Sequence, residues 1–214
     1  PDKNHVYCIG ADVAEGFDYG DYSSAHIIDA NTERVVAHWH GHIDPDLFGS
    51  TVLVQLGWFY NTALLGVENN NHGLTTLKAI QRTGYKNIYR QRRLGQRTPQ
   101  ATEVLGWRTT AASKPLAIDE LAKALRDGDL TLECSKTIGE LRTFVREGNG
   151  KMHGSPHDDR TMSLAITNQM LKYVWLPDYQ VAKTPPKGSF AWFESRVTDK
   201  TKKQPPMSSF NVRR

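Results

Sequence analysis

VYCIGADVA, residues 6–14, is an apolar run of strand length that carries one charge, Asp12. A run that is apolar at both odd and even positions is buried on both faces of a sheet. It therefore belongs inside a layered α/β structure rather than at a solvated edge. A carboxylate in such a strand is unfavourable unless it is paired or bound to a cation. A chain that keeps Asp12 has to cover this strand from two sides and supply something that answers the charge.

The rest of the chain offers the covering layers. SSAHIIDA (23–30) and ERVVAHWHGH (33–42) read as two more strands, joined by a short turn at Ala30, Asn31 and Thr32. With the first strand they form an antiparallel meander. Residues 44–63 have helical spacing, with Asp44 or Asp46 at the start. TALLGVE (62–68) is another buried strand, and Asn69–Asn71 cap a helix over 72–83 that Gly84 stops. KNIYRQ (86–91) reads as a fifth strand and 94–110 as a loop or excursion. An amphipathic helix follows over 113–129, with Ser113 as cap, Leu116, Leu121 and Leu125 inward, and Gly128 at its end. A shorter helix is expected over 137–150 and a last one over about 156–175. The expected fold is α/β: a mixed five-stranded sheet, an antiparallel meander plus parallel strands, flanked by helices. That order resembles the ribonuclease H-like fold. Residues 1–176 form this domain, and the basic, Pro/Lys-rich segment 177–214 is expected to be a largely disordered tail.

Charge narrows the partner. The net charge of the 214 residues is only +4, but it is uneven. Residues 82–97 hold Arg82, Lys86, Arg90, Arg92, Arg93 and Arg97 with no acid among them. Such a segment, with the basic tail, suits a polyanion. No apolar run is long enough to span a membrane. The chain opens PDKNH, with no signal-peptide pattern and no initiator Met, which suggests a piece of something longer. Cys8 and Cys134 belong to no CxxC or Cys/His pattern, so a reducing compartment is expected.

In a sheet of this order the first and fourth strands are parallel neighbours. Asp12 and Glu68 then converge at their carboxyl ends, where open α/β sheets place ligands. A third source of acid is GSPHDDRTMSLAI (154–166), with Asp158 and Asp159 at a helix start. Carboxylates gathered this way repel unless a divalent cation lies among them, and all-oxygen ligands favour Mg²⁺ or Mn²⁺. Ser155, Pro156 and Asp158 fit a capping box. The expected inward stripe is Met162, Ala165, Ile166, Met170, Tyr173 and Val174. Asp159 lies roughly 30° from its centre and Asp158 roughly 70°. Asp159 is thus favoured as the ligand, with Asp158 as helper.

Weaker candidates surround this set. Asp18 and Asp21 fit a hairpin turn between Gly16 and Gly20, and Asp18 is retained as a water-mediated metal ligand. His38, His40 and His42 alternate along one strand face; a half-exposed face is favoured over a transition-metal site. His153 and His157 flank the acidic pair and suit proton transfer, phosphate contact or packing. Arg82, Lys86, Arg90, Arg92, Arg93 and Lys151 are candidate phosphate contacts, which position DNA without reading its sequence. A solvated surface is the competing explanation for them.

YCIGADVAEGFDYGDYSSAHIID, LLGVENNNHG and LRTFVREGNGKMHGSPHDDRTMSLAIT, which together span residues 6–170, resemble the nuclease domain of a tailed-bacteriophage large terminase. This family is ribonuclease H-like, in the RuvC-type branch. The resemblance implies that Asp12, Glu68 and an acid of the HDD block ligate two Mg²⁺ or Mn²⁺ ions. It implies an endonuclease that cuts double-stranded viral DNA concatemers during packaging by two-metal phosphodiester hydrolysis. It further implies portal protein and small terminase as partners. The setting implied is the host-cell cytoplasm, transiently at the procapsid. It also implies a covalently linked ATPase domain outside this chain, since no GxxxxGK[ST] occurs here. A Holliday-junction resolvase or RNase H-type nuclease would share the fold, and a non-catalytic module docking DNA or portal is the other alternative.

Overall fold

Alternation along the first strand decides what each layer touches. The computed structural model describes residues 1–176 apart from 18, 95–100, 149 and 151, without the side chains of 93, 94, 101 and 102. The tail 177–214 lies outside the described residues. Strands β1 (Tyr7–Asp12), β2 (Ser23–Asp29), β3 (Arg34–Gly41) and β4 (Leu64–Val67) form one sheet in the order β3-β2-β1-β4. The first three pair antiparallel, and β4 lies parallel to β1. The expected meander with a parallel neighbour is what the chain builds.

The fifth position of the sheet is held by a bridge rather than a ladder. Ile88 sits parallel to Leu65, with Leu65 N–H donating to Asn87 O and Tyr89 N–H to Leu65 O. The chain then turns out into a hairpin of β5 (Arg90–Leu94) and β6 (Ala101–Leu105), where a loop was expected over much of this stretch. RQRRL has too little apolar surface to stay in a doubly covered sheet, so it pairs with its own return strand instead. Just beyond the return strand, Trp107 bridges Glu68.

Odd residues of β1 (Tyr7, Ile9, Ala11), with Leu65 and Val67, pack against one helical layer. That layer is a helix over 45–59, α-helical at α1 (Pro45–Leu47) and α2 (Val54–Phe59) and π-helical over Phe48–Leu53, together with α3 (Asn71–Arg82). Asp44 caps the first and Asn70 the second. Even residues face α4 (Ser113–Asp127) and α6 (Asp159–Met170), with Cys8 and Leu64 in that core. Gly10 and Gly66 also lie on this face. A Cβ on Gly10 would collide with Thr167, and one on Gly66 with Met170, so α6 rests directly on the sheet backbone.

Three helix expectations need correction. Leu116 of α4 is 56% exposed although Leu121 is buried, and the helix does stop at Gly128. Helix α5 (Ser135–Thr143) ends well before 150: Phe144 and Val145 extend, and β7 (Val145–Arg146) pairs with β8 (Met152–His153). Helix α6 starts at Asp159, three residues after 156. It is buried on nearly all sides rather than along one apolar stripe, and Tyr173 beyond its end is exposed.

Candidate metal centre

Ala11 pairs with Val67, and Glu68 N–H donates to Ala11 O at 2.8 Å. Asp12 and Glu68 are therefore side by side, both on the α6 face by strand alternation. Helix α6 meets that face through Ser163 and Thr167. Thr167 Oγ1 accepts from Gly10 N–H at 3.1 Å, and Ser163 Oγ bonds Ser24 Oγ (2.9 Å) and His26 Nδ1 (2.8 Å). Asp159 is one turn before Ser163 on the same row. It is 6% exposed, and its Oδ2 is buried with no hydrogen-bond partner. Asp158, one residue earlier, is more open and forms an ion pair with Lys114 Nζ at 3.0 Å.

The capping box expected of Ser155 and Asp158 does not form. Asp158 occupies the N-cap position, but its side chain makes no capping bond. Glu140 of α5 replaces it: Glu140 Oε1 accepts from Thr161 N–H at 2.7 Å and Oε2 from Arg160 Nη1 at 3.3 Å. A carboxylate imported from another helix satisfies the first turn. Both aspartates are left free for other work.

The acids perturb one another. Burial, then the Glu68 charge and hydrogen bond, then the charges of Asp159 and Asp158 push the Asp12 carboxyl well above its usual range. Among the described residues, no three His, Cys, Asp or Glu side chains are already closed around an ion-sized position. The acids are close enough to feel one another's charge without forming a finished cage. The partnerless Asp159 Oδ2 and the all-oxygen donor set both suit a hard divalent cation, which would draw the carboxylates inward.

Four neighbours that the sequence did not link to the acids support them. Asn70 caps α3 through Oδ1, while its Nδ2 donates to Glu68 Oε2 and Val13 O, each at 3.1 Å. His40 Nε2, buried and without a hydrogen bond, lies 3.8 Å from Asp159 Oδ2. Lys114 and Glu140 complete the group. The Asn69–Asn71 run gave a signal for the cap but not for the contact with Glu68. Lys114 and Glu140 reach the site only through tertiary packing and left no local trace.

The other candidates sort by position. Tyr22 lies against His40 and His42, with ring centroids at 4.4 and 3.9 Å, and His157 meets its edge at 5.5 Å. His38 instead stacks near His26 at 5.6 Å. The three strand histidines therefore gather around different rings, not around one metal position. His153 contacts Glu147 at 2.9 Å. Arg90 and Arg92 belong to the hairpin strand leaving the level of Val67, toward the acids, and Arg92 pairs with Glu103 at 3.5 Å. Arg82 pairs with Asp46 at the other end of α3, about 16 Å from its first residue by helix rise. Lys86 is exposed ahead of Ile88, also away from the acids. Tyr85 and Tyr89, interleaved with the basic run, are core residues at 2% and 6% exposure. Asp18, Lys151 and the Arg93 side chain lie outside the described residues.

Solved structures share this fold. The large terminase nuclease from thermophilic phage G20c with bound magnesium matches with a TM-score of 0.60 at 21% identity, covering 78% of this chain and 82% of that one. This is the fold of a phage large terminase nuclease. The cobalt-bound G20c nuclease matches at 0.57 and 24%, covering 78% of this chain and 82% of that one. The Thermus phage P74-26 large terminase nuclease domain matches at 0.56 and 23%, covering 79% and 81%. No family model matches the chain, and neither does any curated protein. The terminase nuclease fold is ribonuclease H-like, as the strand order led one to expect.

Proposed function

We propose that this chain is a divalent-metal-dependent endonuclease that cleaves double-stranded viral DNA during genome packaging. One observation carries it: Asp12, Glu68 and Asp159, with Asp158 beside them, meet at one end of the sheet on a terminase nuclease fold. Asp12, Glu68 and Asp159 would hold Mg²⁺ or Mn²⁺, two ions in the fully loaded site, and Asp158 would complete the set. Bound ions supply the charge that makes water a nucleophile at neutral pH and that offsets the charge on the phosphate. The chain's own residues do the rest. The parallel pairing of β1 and β4 fixes the spacing of Asp12 and Glu68. Asn70 orients Glu68, and α6 lowers Asp159 onto the sheet. Arg90 and Arg92 on the hairpin face the DNA backbone, where they contact phosphates without reading sequence. By the same resemblance, the linked ATPase, portal and small terminase are its partners, and the host cytoplasm is its compartment.

Incubation of the purified chain with supercoiled plasmid and Mn²⁺, with and without EDTA, tests this. Nicking and linearisation that EDTA abolishes are expected. Intact plasmid at high protein concentration would reject the nuclease function for this chain. Equal rates on linear duplex, and lower rates on four-way junctions and RNA–DNA hybrids, distinguish it from a resolvase or an RNase H.

A further inference from the structure

Of the four acids, Asp158 alone has a lysine or arginine on it among the described residues. Lys114, in the first turn of α4, places its Nζ 3.0 Å from Asp158 Oδ2. Both side chains are about a quarter exposed, at 27% and 28%. Asp159 Oδ2 has no hydrogen-bond partner, and Glu68 has the neutral amide of Asn70. The Asp158 carboxylate is not consumed by capping, because Glu140 caps α6. The ammonium also has somewhere to go. Lys114 lines an open cavity of about 790 Å³ with Thr109, Thr110, Pro115 and Met152, and the Phe144 ring centroid is 6.0 Å from Nζ.

We propose that Lys114 is a built-in counter-ion that competes with a divalent cation for Asp158. This rests on the metal-site function above and adds a regulator to it. In the metal-free protein Lys114 neutralises Asp158 and so limits repulsion with Asp12, Asp159 and Glu68. When the site fills, Lys114 gives up Asp158, so the more weakly held cation is bound against this ion pair. The ordering follows: Asp12, Glu68 and Asp159 take the tighter ion, and Asp158 joins for the weaker one. Lys114 is a positioning residue that acts through Asp158.

Calorimetric titration with Mn²⁺ in the absence of DNA tests it on the whole chain. Lys114→Gln should tighten the weaker Mn²⁺ binding by about threefold, the scale of a partly exposed ion pair. Lys114→Met serves as a second neutral variant, and Lys114→Arg should leave the affinity within about twofold of the parent. In an Asp158→Asn background, Lys114→Gln should change nothing beyond that margin, which separates the ion pair from general charge. Unchanged or weaker Mn²⁺ binding in both neutral variants would overturn the competition while leaving the metal site intact. Tightening that persists in Asp158→Asn would overturn it as well, by assigning the effect to bulk charge. A parent chain that takes up no Mn²⁺ rejects the metal site itself and this competition with it.

Discussion

The two faces of the central sheet are built differently: one is an apolar core, and the other combines an apolar cluster with a buried polar network. One face packs Tyr7, Ile9, Ala11, Leu65 and Val67 against Phe48, Leu53, Leu77 and Ile80, an apolar core. The other receives α6 over two glycines and buries Ser24, His26, Ser163, Thr137 and Thr167 in a hydrogen-bonded network, with Asp159 at its end. An apolar core tolerates repacking at roughly constant volume, but a polar network must match partner to partner. Both faces bury apolar side chains that stabilise the fold. The second fixes the position of α6 and hence of Asp159 relative to Asp12 and Glu68.

Substitutions on the two faces should therefore fail in different ways. Asp159→Asn should lower plasmid cleavage by about 100-fold or more, because several kcal/mol of charge stabilisation disappear at ~1.4 kcal/mol per decade. Its melting temperature in EDTA should not fall, since an unpartnered buried charge has been removed. Phe48→Ala on the apolar face should do the reverse. Denaturant unfolding should show a loss of about 3–5 kcal/mol, while cleavage per folded molecule is kept. If Phe48→Ala abolishes cleavage in the folded fraction, the division between faces is wrong.

Gly10→Ala probes the contact between α6 and the sheet. The added methyl meets Thr167 backbone and side chain, so α6 has to lift. A destabilisation of about 1–3 kcal/mol is expected, accompanied by a fall in cleavage larger than that of an equally destabilising change on the apolar face. Glu140→Ala should cost about 0.5–2 kcal/mol as a lost helix cap and lower cleavage in step, with Glu140→Gln recovering part of both. Recovery of stability without cleavage would show that Glu140 does more than cap.

The smallest effect concerns pH. Burial, with electrostatic contributions from His38, Arg160 and His40 after it, lowers the His26 pKa from 6.5 to about 3. A lowered folded pKa means the unfolded chain takes up the proton first. His26 therefore contributes stability that is full above about 6.5 and is lost as pH falls toward about 3. Thermal melts of the parent and of His26→Gln between pH 7 and 5 should show a shallower decline in the variant. Parallel curves would mean that His26 is charged, or solvated, inside the fold.

Much of this was legible in the sequence, for identifiable reasons. Asp12 and Glu68 stood out because each is charged at the end of an otherwise apolar run, and burial makes such a residue conspicuous. The meander and the parallel return followed from strand-length runs and their order. Asp158 and Asp159 were distinguishable because neighbours on a helix point about 100° apart, and Asp159 is the more buried of the two. What failed were statements that needed a tertiary partner. Ser155 and Asp158 match a capping box locally, but Glu140 from another helix takes the job. The basic run is divided among elements: Arg82 ends α3 and pairs with Asp46, while Arg90 and Arg92 lie on the hairpin strand. RQRRL, with so little apolar character, gave no alternation by which to recognise a hairpin strand. Gly10 and Gly66, each two residues before an acid, were the available signal that a helix rests there.

Crystals of the chain soaked in Mn²⁺, with anomalous diffraction recorded at the manganese edge, test the metal centre most directly. An anomalous peak bounded by Asp12, Glu68 and Asp159 is predicted, absent in Asp159→Asn crystals. Manganese that binds only elsewhere, for example at His38, His40 and His42, with those carboxylates unmoved, would contradict it.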